Sequence, residues 1–279
     1  MMREWSPERI EALLAEDVPH GDLTTHLLGI GAQPGRMRFQ MRRPGVVCGI
    51  EAAAQLVRAA GGVAQVRAAT GTRVDAGDLL LEASGPAGAL HQAWKVAQTL
   101  VEYLSGIATA TAAIVDAARA VAPDVAVVTT RKTFPGNKAA MIAAIRAGGA
   151  EPHRLGLSET LLVFPEHRAF LADPAAAIAR LRRLAPEKRV VVEVDTVEGA
   201  RAILPAGPDI LQCEKMTPAD IAAVVAAVAE AGSPALVAAA GGVNAGNAAD
   251  YARAGAHILV SSAPYWAAPA DVKVTLEPA

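Results

Sequence analysis

Cysteine is scarce in this 279-residue chain, which has only Cys48 and Cys213. The two lie far apart, and neither belongs to a CxxC or Cys/His spacing. That gives no basis for a zinc site or a disulfide framework, and both read as buried thiols. An excess of one charge is also missing: 26 Lys+Arg stand against 28 Asp+Glu, a formal net charge of -2. Without a basic excess there is no electrostatic footprint for nucleic acid or an anionic membrane surface, and neither is expected as a partner. Long hydrophobic runs are absent as well. The longest unbroken one, Ile221 to Ala229, is mostly alanine and falls far short of the roughly 18 residues of a membrane span, so no transmembrane helix is expected. The N-terminal stretch to Glu16 scatters Arg3, Glu4, Glu8, Arg9, Glu11 and Glu16 among its apolar positions. It therefore lacks the apolar region of a signal peptide, and the chain reads as cytoplasmic.

What is present is ample core, 52% hydrophobic residues with 19% charged, enough for one large domain or one with a smaller companion. The first part mixes element types. Pro7 after Ser6 opens an amphipathic helix over 8–15 with Ile10, Leu13 and Leu14 on one face. Residues 36–50 and 66–84 read as short strands broken at Pro44-Gly45, Gly71, Gly77 and Gly85-Pro86. A helix-forming stretch from Gly88 to about Ala120, interrupted at Ser105-Gly106, leads to a different rhythm. Six β-branched runs, 125–130, 160–164, 189–194, 209–213, 235–239 and 257–260, alternate with alanine-rich helical patterns such as 173–184 and 218–231. Six βα units predict a parallel sheet, closed or nearly closed. A Rossmann fold alternates in the same way, but no GxGxxG marks a first strand-to-helix turn.

In β/α barrels the reacting groups project from the C-terminal ends of the strands. Here those ends are rich in polar residues. The first predicted strand runs into Thr129-Thr130-Arg131-Lys132-Thr133, and His153-Arg154 precede the second. The third contains Glu193, the fourth ends in Glu214-Lys215, the fifth in Gly241-Gly242-Val243-Asn244 and the sixth in Ser261-Ser262. The small-residue loops let backbone N–H groups approach an anion, and the two carboxylates suit a divalent metal, so a phosphorylated substrate fits the set. Each element also has an ordinary reading. Arg131 and Lys132 can be solvated charges, Glu193 half of a buried salt bridge, Gly241-Gly242 a plain turn and His153 a structural residue. The joint placement carries the functional reading.

Several runs are shared with a known family: Glu16-Asp17-x-x-x-Gly21-Asp22-x-Thr24-Thr25, Leu104-Ser105-Gly106-Ile107-Ala108-Thr109, Thr130-Arg131-Lys132-Thr133-x-Pro135-Gly136, Gly148-Gly149-x-x-Pro152-His153-Arg154-Leu155-Gly156-Leu157-Ser158-Glu159, Glu193-Val194-Asp195 and Gly241-Gly242-Val243-Asn244. In this order and nearly end to end, the chain resembles the quinolinate phosphoribosyltransferases, or nicotinate-nucleotide pyrophosphorylases. The wording of 131–136 and 161–170 looks most like the ModD branch, which is encoded with molybdate-transport genes.

That resemblance implies an α/β protein of the type II phosphoribosyltransferase kind. An N-terminal α/β sandwich domain (1–110, with the tail 267–279) is followed by an open α/β barrel (111–266), and the sites of a homodimer are completed across its interface. The implied substrates are phosphoribosyl pyrophosphate and a small heteroaromatic acid whose ring nitrogen attacks C1 of the ribose, with Mg²⁺ as cofactor. By motif position Arg131, His153 and Arg154 face the acid, and Lys132 lies between it and the pyrophosphate. Glu193 and Glu214 serve the ribose hydroxyls and Mg²⁺, directly or through water; Gly241, Gly242, Ser261 and Ser262 hold the 5′-phosphate. Carboxylates stabilise the positive character that develops on the ribosyl centre, while Lys132 and the metal stabilise the leaving group.

The departures bear on the acceptor. Lys95 stands where quinolinate enzymes place an Arg, Phe164 where they place a Lys, and Glu214 where they place an Asp. A bidentate fork becomes a point charge, and a second cation becomes an aromatic ring. This favours a less anionic acceptor than quinolinate, such as an aromatic monocarboxylate stacking on Phe164. Three alternatives stay open: an authentic decarboxylating quinolinate enzyme of NAD biosynthesis, a non-catalytic phosphate or oxyanion binder in molybdenum homeostasis, and a Schiff-base aldolase using Lys132.

Overall fold

A computed structural model describes residues 5–279; Arg3 and Glu4, counted above among the N-terminal charges, lie outside the described residues. Thirteen strands occur in the order β1 Pro34–Met41, β2 Gly45–Val46, β3 Val63–Val66, β4 Arg73–Val74, β5 Leu79–Pro86, β6 Ala126–Thr129, β7 Glu151–Pro152, β8 Leu161–Val163, β9 Val190–Val194, β10 Ile210–Glu214, β11 Leu236–Ala240, β12 Ile258–Ser261 and β13 Val272–Pro278. The chain divides into two compact units, one made of residues 5–112, 133–149 and 264–279, the other of 113–132 and 150–263.

The first unit is built on an antiparallel sheet of order β13-β1-β5-β3. Along β1 burial alternates, with Met37, Phe39 and Met41 inward and Arg36 and Arg38 outward, as the two-residue period of a half-buried strand requires. The inward face packs with the helix Ile50–Ala59, whose Ile50, Ala53, Leu56 and Val57 join the same core. The helix Pro7–Asp17 adds Ile10 and is capped by Ser6, whose hydroxyl accepts from the N–H of Arg9 at 3.4 Å. The run Gly21-Asp22-x-Thr24-Thr25 has a local structural cause. Gly21 takes φ 84, and the Asp22 carboxylate caps the short helix Leu23–Leu27 by accepting from Thr25 N–H at 3.0 Å, a cap worth about 1 kcal/mol.

The helix expected to break at Ser105-Gly106 runs unbroken from Ala87 to Arg119. Both residues have packing roles that keep it whole. The Ser105 hydroxyl accepts from Cys48 N–H at 2.9 Å and donates to Cys48 C=O at 3.3 Å, tying the loop after β2 to the helix. Gly106 admits the backbone of residues 268–270: a Cβ on it would lie 2.3 Å from the Ala268 carbonyl oxygen. By length and mean hydropathy (1.3) this helix meets the requirement for a membrane span that no unbroken apolar run met. In the fold its Leu90, Ala93, Ala97 and Val101 are spent on the first unit's core.

The second unit is a seven-stranded, wholly parallel sheet of order β7-β6-β12-β11-β10-β9-β8. Apart from its ends this is the cyclic chain order of an α/β barrel opened between β7 and β8. The six expected strands are all present within a residue or two, and β7, only Glu151-Pro152, is added. Val128, Leu162, Val191, Ile210, Ala238 and Val260, one from each of six strands, form a single apolar layer. Three of the crossover helices start on side-chain caps: Asp173, Thr196 and Thr217 each accept from an N–H three residues on.

Gly106→Ala is expected to lower the free energy of unfolding by about 1–3 kcal/mol, the range for forcing atoms into a packed site. Gly156→Ala, where a Cβ would meet nothing within 4 Å, should change it by less than about 0.5 kcal/mol. Denaturant unfolding of both variants checks the pair; equal effects would refute the packing role.

Candidate active site

Side chains two apart on a strand share a face, so the apolar layer of the second unit fixes what comes next on that face. Val191 is followed by Glu193, Ile210 by Gln212 and Glu214, Val128 by Thr130, Leu162 by Phe164, Ala238 by Ala240, and Val260 by Ser262. On four of the six strands the lining changes within two residues from apolar to polar, at or near their C-terminal ends, while Phe164 and Ala240 stay apolar. Sequence position alone had assigned this edge to the reacting groups, and the register shows how it is made.

Glu193 is half-buried, and its side-chain hydrogen-bond partner is an amide, where the ordinary reading had a salt bridge. Gln212, its register partner on β10, donates Nε2–H to Glu193 Oε2 at 2.8 Å. Burial raises the Glu193 carboxyl above its ordinary value; the Gln212 hydrogen bond opposes this, and the charges of Glu214 and Glu166 add to it. Gln212 is itself buried and was not singled out from the sequence. The signal was there: a lone amide in an otherwise apolar run, on the strand next to a carboxylate. Glu214 closes β10, and Gly241 makes room for it, since a Cβ at 241 would lie 2.7 Å from Glu214 Oε1.

Gly241 and Gly242 both take positive φ, 78 and 95, and the loop they open is held by its own side chains. The amides of Asn244 and Asn247 donate to the Gly242 carbonyl at 3.0 and 3.1 Å, and nothing lies within 4 Å of the Gly242 Cβ position. Ser261 lies on the opposite parity from Ser262. It is buried, donates to Val243 C=O at 2.6 Å and accepts from Ala263 N–H, so its hydroxyl ties two loops together. Between β10 and this loop sits Lys215, φ 57, alone among the described non-glycine residues in the left-handed region. Such a conformation costs about 1–2 kcal/mol for a residue with a Cβ.

Around β6 and β7 the cations gather. Arg131 and Lys132 are exposed beyond the end of β6. His153 continues the β6–β7 pairing through its N–H to Thr129 C=O at 2.9 Å. Burial lowers the His153 imidazole below its usual value, and the positive charge of Arg154 lowers it further, so the ring is held neutral. Arg154 is buried and feels Arg131. Its Nη1 donates to Thr160 C=O at 3.3 Å, which links the end of β7 to the residue before β8 where the barrel is open. At the end of β8 the Phe164 ring stacks on His167, with centroids 5.7 Å apart and 16° between planes, and Phe164 N–H donates to His167 Nδ1. One face of the Phe164 ring is therefore already covered.

Thus Arg131, Lys132, His153, Arg154, Phe164, Glu193, Glu214, Gly241, Gly242, Ser261 and Ser262 all lie at one edge of one sheet. Lys95 does not belong to that unit. It lies on the long helix in the first unit, with Nζ 4.3 Å from the Trp94 ring centroid and a 3.2 Å hydrogen bond to Gln98 Oε1. There it borders a cavity of about 760 Å³ lined by Leu13, Tyr103, Ile107 and Met141.

Known proteins agree with this architecture. The family described as "Quinolinate phosphoribosyl transferase, N-terminal domain" matches residues 22–105, and its C-terminal-domain counterpart matches residues 107–275. The chain belongs to the quinolinate phosphoribosyltransferase family, a class of pyrophosphorylases. Within it the chain groups with the proteins named pyrophosphorylase ModD: one from Rhodobacter capsulatus is 48% identical over 246 residues, 88% of this chain and 95% of that protein. A nicotinate-nucleotide pyrophosphorylase (carboxylating) from Mycobacterium leprae is 32% identical, with 92% of this chain and 91% of that protein covered. Among solved structures, NadC from Streptococcus pyogenes superposes with a TM-score of 0.89 at 25% identity, covering 100% of this chain and 99% of that one.

The neutral His153 makes a pH prediction. Its unfolded value near 6.5 exceeds its folded one, so the unfolded state takes up a proton first and stability is lost as pH falls through 6.5. His153→Gln should flatten the difference between unfolding free energies measured at pH 7.5 and pH 5.5. An unchanged difference would show that the imidazole titrates normally.

Proposed function

We propose that the polar edge of the second unit binds phosphoribosyl pyrophosphate and transfers its phosphoribosyl group to the ring nitrogen of a small heteroaromatic acid. The observation that supports this best is the shared face of Glu193 and Glu214 on adjacent strands, beside a preorganised glycine loop. In this reading the ring-nitrogen lone pair forms the bond to C1 as the C1–oxygen bond breaks, and that electron pair departs with pyrophosphate. Glu193 and Glu214 stabilise the positive character at the ribosyl centre, Lys132 stabilises charge on the pyrophosphate, and the N–H groups of Gly241 and Gly242 with Ser262 receive the 5′-phosphate. Ser261 acts through the loop that it anchors.

The donor set fits Mg²⁺. Two carboxylates with hard oxygen donors, one of them raised by burial and by its neighbour's charge, match an ion held by one or two carboxylates plus substrate phosphates. Among the described residues no group of three or more His, Cys, Asp or Glu forms an all-protein cage, as such an ion does not require. When bound, Mg²⁺ supplies charge neutralisation on the departing pyrophosphate.

The acceptor is read from the cations. With the His153 imidazole lowered and Phe164 at the end of β8, the cations this reading assigns to the acid's carboxylate are Arg131 and Arg154. This supports an acceptor with fewer carboxylates than quinolinate. The likeness to the ModD branch supports a role in molybdenum utilisation.

Purified protein with Mg²⁺, phosphoribosyl pyrophosphate and single nitrogen-heterocyclic acids should release pyrophosphate with one of the monocarboxylates, and the product mass should retain the acid's CO₂. Lys132→Ala should lower kcat/KM by about 10²–10³-fold. Efficient turnover of quinolinate with loss of CO₂ would overturn the acceptor assignment. Failure to bind phosphoribosyl pyrophosphate would overturn the function.

A further inference from the structure

We propose that Lys215 is a contact residue for the 5′-phosphate of the phosphoribosyl donor, a cation held beside the Gly241-Gly242 loop by a backbone conformation that lysine rarely adopts. The inference rests on the phosphoribosyl transfer proposed above and adds a residue to that site.

Fourteen glycines in the described chain take positive φ, so left-handed positions are filled by glycine as a rule, and Lys215 is the exception. A residue with a Cβ is kept in such a position where the side chain has a use that glycine cannot supply. The turn is pinned in place, because the Lys215 N–H donates to the Ala240 carbonyl at 2.8 Å, across from β10 to the end of β11. From there the side chain passes over Gly241: a Cβ on that glycine would lie 2.7 Å from Lys215 Cγ, as close as it would come to Glu214 Oε1. Gly241 thus accommodates the carboxylate and the lysine stem together.

The lysine is exposed, and none of the ion pairs among the described residues uses it, although Glu214 is its neighbour in sequence. Beyond it the space over Gly242 is open. A phosphate entering that space approaches the side of the mouth that carries Glu193 and Glu214. A cation between the loop and those carboxylates offsets the repulsion, and a flexible point charge such as lysine does so without fixed geometry. A solvated lysine with no ligand would gain nothing from the strained position.

The test compares Lys215→Asn and Lys215→Gly, which suit a left-handed backbone, with Lys215→Arg, which keeps the charge. Thermal melting and calorimetric binding of ribose 5-phosphate and of inorganic pyrophosphate are measured on the full chain. Asn and Gly are expected to melt no lower than wild type yet bind ribose 5-phosphate about tenfold or more weakly, the loss of one charge-assisted contact. Pyrophosphate affinity should stay within about twofold of wild type, and Arg should restore most of the ribose 5-phosphate affinity. Unchanged ribose 5-phosphate binding by Asn and Gly, an equal loss for both ligands, or a lowered melting temperature would overturn the assignment. If wild type itself fails to bind ribose 5-phosphate, the phosphoribosyl reading falls and this inference with it. If only the variants' behaviour departs from expectation, that reading stands.

Discussion

The strand register of the parallel sheet is the constraint on which the site depends. Because side chains alternate faces, the packing that buries Val191 and Ile210 also fixes where Glu193, Gln212 and Glu214 point. A slip of one residue would send both carboxylates to the outer face and bring Val192, Val194 and Cys213 inward. The apolar layer therefore does two things at once. It stabilises the unit, and it aims the polar groups that follow it, so the core and the chemistry cannot vary independently.

The polar edge is also where the molecule departs from its own most stable arrangement. A carboxyl raised by burial, an imidazole held neutral and a lysine with φ 57 lie within a few strands of one another. Each opposes folding by itself, and each is held by a defined neighbour: Gln212 for Glu193, the β6 carbonyl of Thr129 for the backbone of His153, and Ala240 for Lys215. Such concentration of local conflict in one place, with consistent packing elsewhere, is the pattern expected of a functional site.

Much of this was legible in the sequence because its signals are local. Short β-branched runs between alanine-rich helices gave the six main strands, and the polar residues ending them gave the edge of the sheet. The two-residue β7 escaped notice, since Glu151-Pro152 has neither length nor branching, and only its pairing with β6 makes it a strand. Ser105-Gly106 was misread as a helix break because residue type records propensity; the demand for a small residue came from residues 268–270, more than 160 positions away. Several motifs shared with the family are likewise devices of assembly. Gly148 brings the helix Lys138–Ala147 against Thr111 and Ala108, and Asp22 caps a helix. The bond of Gln212 to Glu193 depends on the register of two strands 19 residues apart, and that of Arg154 to Thr160 on a turn with no regular period, so residue type alone fixes neither partner.

The last strand of the first unit's sheet is drawn from residues that follow the barrel. β1 pairs on one side with β5 and on the other with β13, and nearly two hundred residues separate those two partners. During synthesis the growing chain must therefore carry β1 with one edge open while the whole parallel sheet is being made. Such an edge is a template for unwanted pairing. A polypeptide that stops before Val272 leaves that edge of β1 unpaired, so the strand that follows the barrel in sequence is the one that closes the first unit's sheet.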